Sequence, residues 1–135
     1  MAAPPPVLDL ARAVRLIVIG LALLLCSCQT TNGTRIGWSS SVRSTEYSAA
    51  YATFNGTASI PINIRESRVF FTYQVEVGKG SLSIAVQDPQ GQGVWRTTLH
   101  GNATGSRLLS TPRTGSYTLL VEGQNTGGSF DIHWN

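Results

Sequence analysis

Residues 69–77 read Val-Phe-Phe-Thr-Tyr-Gln-Val-Glu-Val. On an extended chain Val69, Phe71, Tyr73, Val75 and Val77 fall on one side, and Phe70, Thr72, Gln74 and Glu76 on the other. A period of two gives a pleated strand one apolar face. A strand of that kind hides its apolar face only by stacking against another layer. The same alternation recurs at Tyr47, Ala49, Tyr51 and Thr53, at Ile60, Ile62 and Ile64, and at Leu82, Ile84 and Val86. It returns at Tyr117, Leu119 and Val121, then at Phe130, Ile132 and Trp134. Turn chemistry separates these runs: Asn55-Gly56, Gly78-Lys79-Gly80, Asp88-Pro89-Gln90-Gly91 and Asn125-Thr126-Gly127-Gly128. Pro61 has no amide donor, which assigns its strand to an edge or a start. The register of 94–99 stays open, since Trp95, Thr97 and Leu99 compete with Val94, Arg96 and Thr98 for the inner face. Residues 100–106 read as a loop, and 107–111 as a short strand ending at Pro112. No helical period follows residue 28. The expected fold is all-β, a single antiparallel jelly-roll-like sandwich of about 7–8 strands.

The N-terminus has a different grammar. Arg12 and Arg15 precede eleven uncharged, mostly apolar residues, 16–26. As a helix this run is about 16 Å long, short of the roughly 30 Å hydrocarbon core, and its length suits a secretory signal helix. Leu25-Cys26-Ser27-Cys28 resembles the bacterial lipobox, with small Ser27 before the cysteine. That resemblance implies lipid on the sulfur of Cys28, which becomes the new N-terminus, on the extracytoplasmic side of a bacterial membrane. It also implies that Gln29, in place of Asp, permits transport to an outer membrane. Two acyl chains hold a protein on a bilayer where one does not. The chain therefore divides into a signal peptide (1–27), a tether (28–43) and the sandwich (44–135). The tether is polar, rich in Ser, Thr and Gly, and aperiodic; a flexible tether of this length stands the sandwich roughly 20 Å from the lipid.

Beyond Cys28 there is no cysteine, so the sandwich contains no disulfide and burial alone must hold it. Eight basic and six acidic residues follow Cys28, a scattered net of +2. A nucleic-acid partner needs a basic stripe, and none is present in the sequence. The acidic residues are too dispersed for a calcium loop. Catalytic motifs are also missing: there is no Gly-x-Ser-x-Gly elbow, and no strand carries paired carboxylates. Neither a catalytic residue, a metal site nor a cofactor is expected. Asp131 and His133 share the solvent side of one strand and amount to a weak metal pair at most.

The candidate ligand-binding residues are Trp95, with Arg96 and His100 flanking it, and Trp38 within the tether. An exposed indole stacks on a sugar face or fills a partner's pocket; a packed one merely seals an edge. Gly115-Ser116-Tyr117 looks like a tyrosine corner, whose hydroxyl ties back to the preceding loop. From Gly80 the chain runs Ser-Leu-Ser-Ile-Ala-Val-Gln-Asp-Pro-Gln-Gly. Val94-Trp95, 115–123 and 128–134 then continue a cadence similar to bacterial pre-peptidase C-terminal domains and related jelly-roll modules. That resemblance implies a non-catalytic accessory or binding module, normally joined to a larger enzyme. The expected function is a lipid-anchored, extracytoplasmic interaction module of the cell envelope, with an envelope protein or a glycan as partner. The alternatives are a structural envelope lipoprotein without a specific ligand and, more remotely, a small hydrolase. Nothing in the pattern sets an oligomeric state.

Overall fold

The computed structural model describes residues 30–111 and 113–135. The expected signal helix, Cys28 and Pro112 lie outside the described residues. Seven strands follow in order: β1 (Thr30–Ile36), β2 (Ser39–Arg43), β3 (Glu46–Ile64), β4 (Arg68–Gln87), β5 (Gly93–Leu99), β6 (Ala103–Ser110) and β7 (Gly115–Trp134). All pairings are antiparallel, in the order β1-β3-β7-β4-β5, with β2 also on β3 and β6 also on β4. The expected all-β antiparallel sandwich is the observed one.

Three strands of 19 or 20 residues make the architecture. Each runs through both layers. Layer one holds β2, the first half of β3, the second half of β7, the first half of β4, and β6. Layer two holds β1, the second half of β3, the first half of β7, the second half of β4, and β5. The crossing points are register shifts at Tyr51/Phe54/Gly56 in β3 and Val77/Lys79/Ser81 in β4. They coincide with three glycine-bearing segments that read as hairpin turns. A residue at positive φ kinks a strand as readily as it reverses one, so these segments bend the chain between layers. In β7, Asn125 has φ 48° and Gly128 φ 143°. A Cβ on Gly128 would strike the carbonyl oxygen of Glu76.

The alternation places the core as expected. Val69, Phe71, Val75, Ile60, Ile62, Leu82, Ile84, Leu119, Val121, Phe130 and Ile132 are buried in one cluster. The shift after Tyr51 sends Phe54 inward rather than Thr53. Ser81, Ser83 and Ala85 do face outward, yet they are buried: Ser83 shares a 2.9 Å hydrogen bond with Thr98, and Arg96 and Glu122 flank them on the neighbouring strands. Tyr117 donates its hydroxyl proton to the Arg113 carbonyl at 2.6 Å, the expected corner.

The tether is corrected. Residues 30–36 and 39–43 form edge strands on β3. Their described side chains are exposed, so no apolar period marks them; the partner's backbone specifies them. The expected loop at 100–106 is likewise shortened, because β6 begins at Ala103.

Candidate functional site

The residues singled out from the sequence do not converge. Trp95 is inward-facing and half-buried on β5, with its ring 6.1 Å from Phe71 and 5.9 Å from Tyr73 across the layers. It seals the β5/β6 side of the core. Arg96, one residue on, points the opposite way, as strand geometry requires. It donates to Glu122 Oε2 at 2.6 Å, and that bond raises the guanidinium pKa above its ordinary value. His100 is exposed in the β5–β6 turn. Trp38 lies on the other side of the sandwich, between β1 and β2. It stacks on Tyr51 at 5.5 Å, meets Phe54 edge-on at 5.0 Å, and carries the Arg35 guanidinium 5.0 Å above its ring. Both indoles are edge seals. A shallow hollow of about 360 Å³ remains over Gln87, Gly93, Val94, Trp95 and Arg96.

The outer face of layer one gathers more chemistry. Glu46 on β3 is directly opposite His133 on β7, and His133 is opposite Thr72 on β4. Two residues along, Ser48, Asp131 and Gln74 line up in the same way, and Gln74 continues to Thr104 on β6. Directly opposite residues on adjacent strands share a face with Cβ atoms about 5 Å apart, so these residues form a polar sheet surface. His133 Nε2 is 3.0 Å from Asp131 Oδ1 and 3.8 Å from Glu46 Oε1. Glu46 Oε2 faces Arg43 at 4.0 Å. Beside the carboxylates a cleft of about 260 Å³ is lined by Thr72, Tyr73, Gln74, Thr104, Gly105, Asp131 and His133.

An apolar pair flanks the polar row. Phe70 is opposite Leu108 on the same outer face, one step along β4 from Thr72, and the two are 42% and 55% exposed. An exposed aromatic beside coplanar donors and acceptors can hold a ligand with one apolar side and several hydroxyls. The sequence showed Phe70, Asp131 and His133 on outward positions. Glu46 escaped notice because a strand pairing across some 85 residues brings it there, and no local pattern encodes that register.

No protein-family model and no curated protein matches this chain. Solved structures do. A carbohydrate-binding module from a Cellvibrio mixtus lichenase, in complex with cellotriose, is 17% identical with a TM-score of 0.51, over 81% of this chain and 91% of that one. A carbohydrate-binding module in complex with calcium and xylotriose is 13% identical with a TM-score of 0.50, over 79% and 93%. At such identities the likeness concerns the fold alone: this chain has a jelly-roll-like sandwich architecture. Neither neighbour bears on the resemblance to pre-peptidase C-terminal domains.

Proposed function

We propose that this chain is a non-catalytic glycan-binding module held outside a bacterial membrane by lipid on Cys28. The observation that carries the glycan reading is the outer face of layer one. There exposed Phe70 lies two residues along β4 from Thr72, which with Gln74, Thr104, Asp131 and His133 lines one cleft. A sugar ring presents an apolar C–H face to the aromatic ring and its hydroxyls to the polar row. The cleft falls just below the roughly 300–1,000 Å³ of enclosed ligand pockets, which suits one or two sugar rings on an open surface. The binding-module fold of the neighbours supports the same reading. The anchor rests on the lipobox resemblance.

Titration calorimetry of the full chain in detergent, with cello- and xylo-oligosaccharides and hits from a glycan array, tests the binding. Saturable heat is expected, weakened about tenfold in Phe70→Ala, the effect of losing one stacking ring. Flat titrations throughout would leave the structural-lipoprotein reading. Palmitate-analogue labelling tests the anchor: label is expected on the wild type and absent from Cys28→Ala.

One observation favours a small hydrolase as a second reading. Glu46 and Asp131 present carboxylate oxygens within 4.8 Å of each other, near the roughly 5–5.5 Å carboxyl spacing of retaining glycosidases. Reducing sugar released from the same oligosaccharides, and lost in Glu46→Gln, would replace the binding reading.

A further inference from the structure

We infer that Glu46, Asp131 and His133 form a transition-metal site of the zinc type on the outer face of layer one, which stands whether or not that face takes a glycan. The site follows from sheet geometry. Glu46 and His133 are a direct cross-strand pair, and Asp131 precedes His133 by two residues on the same side of β7. Three side chains able to ligate a metal thereby converge, with His133 Nε2, one Asp131 oxygen and one Glu46 oxygen all within 4.8 Å of one another.

The spacing suits a small cation. Zinc at about 2.0–2.2 Å from each nitrogen or oxygen, with tetrahedral angles, sets its donors about 3.3–3.5 Å apart. The two separations from His133 Nε2, 3.0 and 3.8 Å, lie on either side of that value, and the Glu46 and Asp131 oxygens are within 4.8 Å of each other. The His133 and Asp131 side chains are 51% and 45% exposed, so the face is open to an ion from solvent.

Asp131 Oδ1 supplies a separate observation. It has no exposed surface and no hydrogen-bond partner, although His133 Nε2 lies 3.0 Å away. An oxygen covered by an imidazole nitrogen is satisfied by a proton on that nitrogen or by a cation shared between the two. Glu46 turns Oε2 toward Arg43 and leaves Oε1 toward His133. One imidazole with two carboxylates suits zinc or a neighbouring transition metal; calcium prefers six to eight oxygens. Three protein donors leave a fourth position for water beside the cleft.

The test uses the full chain in detergent without a polyhistidine tag, carrying Cys26→Ser and Cys28→Ser to remove competing thiols. After EDTA and desalting, zinc chloride and calcium chloride are titrated separately by calorimetry, with thermal melts alongside. One zinc per chain is expected, bound more tightly than millimolar, with a higher melting temperature and far weaker calcium binding. His133→Gln and Asp131→Asn should each weaken zinc by at least the roughly tenfold that loss of a mere ligand-orienting partner costs, while His100→Gln leaves it unchanged. Metal-free melts of the variants should match the parent, which separates lost binding from lost folding. A flat zinc titration, equal or stronger calcium binding, or loss in His100→Gln with His133→Gln unaffected would overturn the assignment.

Discussion

The Tyr51 hydroxyl sits in the aromatic seal beneath Trp38, where burial pushes its pKa up to about 12, partly offset by the Thr126 hydroxyl beside it. That neighbour is not well aligned: Tyr51 Oη, Thr126 Oγ1 and Trp38 Nε1 are all buried without a hydrogen-bond partner. The raised pKa has a definite sign. Below pH 10 the tyrosine is neutral in folded and unfolded chains, and its contribution to stability is complete. Between pH 10 and 12 the unfolded chain ionises first, so stability falls by about 1.4 kcal/mol per pH unit, roughly 2–3 kcal/mol in all. Urea denaturation from pH 8 to 11.5 should show this alkaline loss in the wild type and a shallower one in Tyr51→Phe. Identical slopes would place the titration elsewhere. Tyr117 contrasts with it, because its hydroxyl has a partner in Arg113. Tyr117→Phe should cost about 1 kcal/mol in the same assay near pH 7. Tyr117 was legible because glycine, tyrosine and the loop that receives the hydroxyl lie within five residues. The role of Trp95 was not, because on β5 small polar residues occupy both faces and only the pairing with Val86 turns the indole inward.

At the scale of elements, alternation is what the sequence displays well. Every run with a buried face, from 47–51 through 69–77 to 130–134, is a strand segment with the expected face inward. What alternation does not carry is the meaning of the glycines between runs. The Gly78-Lys79-Gly80 and Asn125–Gly128 segments have local chemistry compatible with reversal or with a bend. The choice lies in contacts made far away, as at Gly128, where the backbone of Glu76 leaves no room for a side chain. Gly128→Ala should therefore cost about 2 kcal/mol or more, from positive φ and backbone collision together. Gly91 offers the control. It also has positive φ, 82°, but nothing lies within 4 Å of where its Cβ would be. Gly91→Ala should cost about 1 kcal/mol, the conformational share alone. Equal losses in urea unfolding would deny the crossing at Gly128 its steric basis. The edges are the other illegible part. β1 and β2 are exposed along their described length, so a polar aperiodic stretch reads as tether although both strands pair with β3 along one edge.

For the whole molecule, that pairing changes what an anchor at Cys28 would do. β1 begins at Thr30, two residues beyond the cysteine. Two extended residues reach at most about 7 Å, so lipid on Cys28 would hold the sandwich against the headgroups instead of roughly 20 Å away on a flexible chain. β1 belongs to layer two. The polar row of Glu46, Asp131 and His133 is on the outer face of layer one, beyond a core about 10 Å thick. With lipid on Cys28, a face turned from the layer that holds β1 would stay open to solvent. The geometry can be measured with the lipid-bearing chain in liposomes, using Ser41→Cys on β2 as the only free thiol for a fluorophore and an acceptor dye in the bilayer. The donor should be strongly quenched in the unmodified chain. Ten Gly/Ser residues inserted after Gln29 should move it outward by about 17 Å, the root-mean-square span of such a linker, and relieve most of that quenching. A donor equally distant with and without the insertion would mean that β1 does not hold the domain to the bilayer, and the short-anchor arrangement would fall even with Cys28 lipidated.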